Sequence, residues 1–172
     1  MKMKKISINL VALSIIYVFI ALVGAPSQSQ AATAAANATA TVVTPIAISK
    51  NADLAFGKFV ANTGGTVVIS TAGARSQTGT VALFTQGSTS NAASFAVTGE
   101  GVYTYAITLP ATATITSSAN TMTVGTFVSN PSGTGTLTAG AQTLLVGGTL
   151  TVASAQAAGS YTGSYNVSVD YN

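Results

Sequence analysis

The 172-residue chain contains no histidine and no cysteine, and only 5% of it is charged against 48% hydrophobic. That excludes disulfides, thiol and imidazole catalysis, and Cys/His metal sites. The formal charge of +3 belongs to Lys2, Lys4 and Lys5; beyond them Lys50, Lys58 and Arg75 balance Asp53, Glu100 and Asp170, which leaves no basic patch for nucleic acid.

Residues 1–5 form a positive n-region, residues 6–25 a hydrophobic run, and residues 26–30 a polar break before Ala31. This pattern predicts a signal peptide over residues 1–31, cleaved after Ala31, with no stable membrane span once it is removed. The expected product is exported, passing through a periplasm to the outer cell surface or the medium. The roughly 140 residues beyond the leader bury about two thirds of their unfolded surface, enough for a core without disulfides.

Residues 32–44 alternate alanine with threonine, so that Ala34, Ala36, Ala38, Ala40 and Val42 fall on one face. The β-branched residues predict an extended segment. It is either a frayed lead-in to the first strand or a donor strand that completes a neighbour's sheet through main-chain hydrogen bonds. The domain proper is expected over residues 45–172.

Pro45 marks a strand start, with Ile46 and Ile48 pointing inward, and residues 54–59 bring Leu54, Phe56 and Phe59 to the core. A turn at residues 62–65 leads into a strand at 66–70. Residues 71–78 read as a loop and 81–84 as a strand, followed by a polar loop at 86–91. Strands at 94–98 and 102–109 flank Gly99, Glu100 and Gly101, which read as a hairpin turn. Further strands are expected at 112–116 and 121–128. Residues 142–152 place Leu144, Val146, Leu150 and Val152 on one face, with Gly147 and Gly148 as a bulge or tight hairpin. Residues 153–158 read as a connector or a short helical turn.

The stretch 159–172 alternates most regularly. Tyr161, Gly163, Tyr165, Val167, Val169 and Tyr171 share one face, and polar residues occupy the other. It predicts a closing strand. Short strands about ten residues apart, Gly/Asn/Ser turns and no long helical pattern together predict an all-β antiparallel sandwich.

Residues 42–48, 54–57, 64–67, 95–99, 121–124, 146–150 and 158–171 resemble the DUF4402 family of secreted bacterial proteins. The resemblance implies an Ig-like, pilin-like β-sandwich and brings no catalytic residues. The last strand also resembles the closing strand of chaperone–usher fimbrial subunits, with Tyr171 next to last, although their cysteine pair is missing here.

The three carboxylates read as solvated charges, and no phosphate loop, nucleophile elbow or calcium loop occurs. No cofactor, metal or catalytic site is expected. The function expected is a non-enzymatic subunit of a surface fibre that associates with itself or with related subunits by strand addition. The alternative is a monomeric adhesion module that uses loops 71–78 and 86–91 to bind carbohydrate.

Overall fold

The computed structural model describes residues 30–172, so all but the last two residues of the expected leader lie outside the described residues. The chain divides into two units, residues 1–40 and 41–172. In the first, residues 30–40 are exposed and carry no strand.

The second unit is all-β, with twelve strands: β1 Ala47–Ala52, β2 Phe59–Val60, β3 Gly65–Ile69, β4 Arg75–Gly79, β5 Ala82–Leu83, β6 Ala93–Thr98, β7 Thr104–Thr108, β8 Thr112–Ser117, β9 Asn120–Asn130, β10 Thr134–Thr136, β11 Ala141–Val152 and β12 Ser168–Tyr171. Every ladder is antiparallel. No helix among the described residues is long and apolar enough to cross a membrane.

The twelve-residue β11 is the axis. Its first half pairs with β6 and its second half with β3, while β9 runs along its other side. With β1 outside β6, β4 outside β3 and β8 outside β9, this makes a seven-stranded sheet. The inward parity of β11 is carried by Leu144, Val146, Leu150 and Val152, all buried.

A smaller sheet, in the order β10-β7-β12, covers one end of the large one. The core there joins Ala93, Val97, Leu144 and Val146 to Tyr105 and Val169 of the small sheet. The Tyr105 ring lies over Gly135, its cross-strand partner, and its hydroxyl donates to Gln142 Oε1 at 2.7 Å. The other end has a second core of Val67, Val81, Met122, Val124, Leu150 and Val152. No sheet of comparable size covers it; Leu54, Phe56, Phe59 and Tyr161 pack there from irregular segments and the short β2–β5 ladder.

Several expectations need correction. Gly99, Glu100 and Gly101 make no hairpin: β6 belongs to the large sheet and β7 to the small one, so these residues carry the chain between layers. The expected loop at 71–78 contains β4, whose polar sequence suits an exposed edge and whose Thr78 hydroxyl bonds that of Thr66 at 2.8 Å. Residues 153–158 form a turn without helix.

Gly147 and Gly148 lie within one strand. The bulge sits opposite, in β9, where Thr126 takes φ 46 and the inward parity passes from Val124 to Phe127. The two glycines answer close approaches. A Cβ on Gly147 would run into the Ile69 carbonyl, whereas one on Gly148 would meet only the side-chain ends of Leu54, Phe127 and Val124 at 3.4 Å. Gly147→Ala is therefore expected to cost about 1–3 kcal/mol by pushing β11 off the end of β3, and Gly148→Ala to stay within about 1 kcal/mol of neutral. Chemical denaturation of the two variants checks this, and equal losses would contradict it.

Candidate functional site

The half-covered end of the large sheet is an open cleft of about 1050 Å³. Ala113 and Ile115 of β8, Met122 and Val124 of β9, and Leu150 of β11 line it from the sheet, and its rims are residues 53–61 and 156–165. Strand alternation brings these apolar side chains to one surface.

The first rim is held by the only arginine in the chain. Arg75 Nη1 donates to the carbonyls of Phe56 at 3.1 Å and Lys58 at 3.3 Å and to Ser88 Oγ at 3.1 Å, and Nη2 donates to the Phe84 carbonyl. A planar fork with five donors suits this stitching of loops better than a lysine would. Gly57 is required beneath it, because its φ is +73 and a Cβ there would strike the guanidinium.

The second rim belongs to the C-terminal stretch. Thr162 makes a bridge to Thr116 of β8, and β12 pairs with β7, but residues 163–167 between them make no main-chain hydrogen bond among the described residues. The continuous strand expected over 159–172 is thus shortened to Ser168–Tyr171, because its two ends serve different sheets. Tyr161, Tyr165, Val167, Val169 and Tyr171 still alternate inward. Tyr161 donates to the Ala157 carbonyl and accepts from Gln156, both at 2.8 Å. Tyr165 stacks on Phe127 with ring centroids 4.9 Å apart, and its buried hydroxyl has no partner among the described residues. Burial, helped by the charge of Asp53, pushes that hydroxyl up to about 12.

Thr44 sits at Tyr171, and Asp53 and Tyr165 both line the cleft, so β1 and the last stretch run in opposite directions along a seam. No ladder joins them. At the closed end Tyr171 Oη accepts the Glu100 N–H at 2.6 Å and donates to the Thr44 carbonyl at 2.9 Å, while Glu100 Oε2 accepts the Thr44 N–H at 3.0 Å. Tyr103 packs edge-on against Tyr171. The Thr44 backbone N–H foremost, with its side chain adding to the effect, holds the Glu100 carboxyl below the ordinary glutamate range. The other end of the seam opens into the cleft.

Ala34, Ala36, Ala38, Ala40 and Val42 are exposed and in no ladder; Val42 is 96% exposed. Asp53 pairs with Lys50 at 2.6 Å, and no group of three or more His, Cys, Asp or Glu gathers among the described residues. Residues 86–91 remain a loop beside the Arg75 clamp. The sequence reading missed both the Arg75 clamp and the Glu100–Thr44–Tyr171 latch. A lone arginine in so weakly charged a chain was the one available signal for the first, and nothing local marked the second.

An all-β domain of two unequal antiparallel layers, with an apolar cleft where the smaller stops short, is the class that this architecture defines. The chain belongs to the DUF4402 family, a domain of unknown function, which matches residues 46–171. No curated protein and no solved structure matches it.

Two titrations follow. In the unfolded chain Tyr165 ionises at about 10, against about 12 when folded. Between those values the unfolded state binds fewer protons, so stability is full below the lower value and falls as pH rises through the window. Tyr165→Phe should flatten that fall in urea titrations, leaving the share of Tyr105, which burial also pushes up. For Glu100 the sign is opposite: its contribution is present above the ordinary glutamate pKa and is lost as pH falls through the lowered value. The Thr44 amide resonance should titrate with that lowered midpoint, and Glu100→Gln should abolish the titration.

Proposed function

We propose that this protein is an exported, non-enzymatic structural subunit of a cell-surface fibre, assembled by β-strand addition between subunits. The observation that carries the reading is the unfinished second layer: backbone at residues 163–167, unpaired among the described residues, borders an apolar cleft, next to the outer edge of β1, which pairs with no other strand among the described residues. Unpaired backbone beside apolar surface is what an added strand satisfies, through ladder bonds and side-chain burial together. The exposed, uncharged segment 32–44 supplies a strand of the right kind. A domain whose formal charges cancel after leader removal has little electrostatic repulsion against its own copies.

The second reading, a monomeric surface module that binds carbohydrate, draws on the aromatic residues Phe56, Phe59, Tyr161 and Tyr165 at the cleft, since rings stack on sugar faces. It moves the site from the surface loops to the cleft.

The test compares residues 32–172 with residues 44–172, which keep every strand and the bond from Tyr171 to the Thr44 carbonyl. Size exclusion and electron microscopy should show oligomers or fibres for the longer protein and monomers for the shorter. Two identical stable monomers would reject the fibre reading, and binding of monomer to a glycan array would favour the second.

A further inference from the structure

We propose that the cleft is the acceptor for residues 32–43 of a second copy of this chain, which lie along residues 163–167 as an added edge of the small sheet. The proposal rests on the strand-addition reading and adds the edge that the segment joins, its source in a second copy and its facing.

Three observations select this place and this occupant. Between Thr162, bridged to β8, and Ser168, paired with β7, residues 163–167 bond no other main-chain group among the described residues through either donor or acceptor. A strand laid beside them continues the order β10-β7-β12 by one and extends the smaller layer over the cleft, where the large sheet is short of cover.

The second observation is chemical fit. The large-sheet lining is aliphatic (Ala113, Ile115, Met122, Val124 and Leu150), and rings already crowd the rims. Small side chains suit the space that remains. Ala34, Ala36, Ala38, Ala40 and Val42 present that kind of face at period two, and residues 32–43 contain no charged side chain to desolvate.

The third is the exit point, which favours a neighbour over self-filling. The latch of Glu100 and Tyr171 on Thr44 fixes where the chain leaves the domain, at the closed end of the seam. From Tyr171 back to Tyr165 at the cleft is about 20 Å at the rise of an extended strand. Val42, just before the latch, is 96% exposed. To fill its own cleft the segment has to reverse and run back along β1. A second copy delivers it without that turn.

The experiment uses a fluorescent synthetic peptide of residues 32–44 and the 44–172 protein, read by anisotropy, beside the assembly state of residues 32–172. Saturable binding is expected. Ala38→Asp in the peptide, which places a charge on the inward face, should weaken it by at least about 100-fold, whereas Thr39→Asp on the outward face should change it by less than about threefold. Ala113→Phe, which fills the cleft, should abolish binding in a protein whose circular dichroism and denaturation midpoint show it folded. Because the Ala38→Asp arm leaves the receptor untouched, failure of Ala113→Phe to fold does not spare the proposal. The same Ala38→Asp and Thr39→Asp changes in residues 32–172 should respectively block and permit assembly.

If residues 32–172 assemble but the peptide does not bind, or binds regardless of Ala38→Asp, the cleft is not the acceptor and strand addition elsewhere survives. If the longer protein stays monomeric and resists the peptide while 44–172 binds it, the segment fills its own cleft and the second copy is wrong. If neither protein assembles and the peptide does not bind, the fibre reading falls together with the site.

Discussion

The fold depends on a mismatch between its two layers. β11 spans twelve residues, about 40 Å of extended chain, and carries an inward apolar row along its length. The facing sheet has three short strands and covers one end. A sheet's apolar face must be buried against something. At the far end that role falls to single side chains from loops, to a two-residue ladder and to the rim segments, and it is not completed. The cleft follows from this shortfall.

With so few charges, the structure ties its irregular segments by other means. One surface ion pair, Lys50 with Asp53, occurs among the described residues, and exposed pairs of this kind contribute little. The binding of loop to loop comes instead from groups bonded to main-chain atoms. Arg75 gathers carbonyls from the 56–58 and 84 segments, and Tyr171 joins residues 44 and 100. Charge-assisted bonds to carbonyls are stronger than neutral ones, which suits a single guanidinium at the meeting of three segments. These two clusters decide the form of the seam: Arg75 sets the first rim of its open end, and Tyr171 with Glu100 shuts the other.

The all-β class, most strand positions and the inward rows of β11 and the last stretch were legible in the sequence, because period-two alternation is a local property. Leu144, Val146, Leu150 and Val152 lie on one face as read. Edge strands were harder. β4 is polar throughout and is a strand only because β3 offers it a ladder. The residues at 99–101 have the composition of a hairpin turn, and the difference between turning back and crossing to another sheet lies in distant partners.

The amino-acid sequence by itself determined that alternating β-branched and aromatic residues face a common core, that no disulfide, thiol or imidazole is present, and that the charges beyond residue 31 cancel. Only the tertiary structure decided which strands share a sheet, that β9 bulges at Thr126, that Arg75 clamps a rim, and that residues 163–167 are left unpaired beside a cleft. The reason is physical. Facing is set by neighbouring residues along the chain, whereas pairing and cover are set by segments tens of residues away, whose arrival no local pattern records.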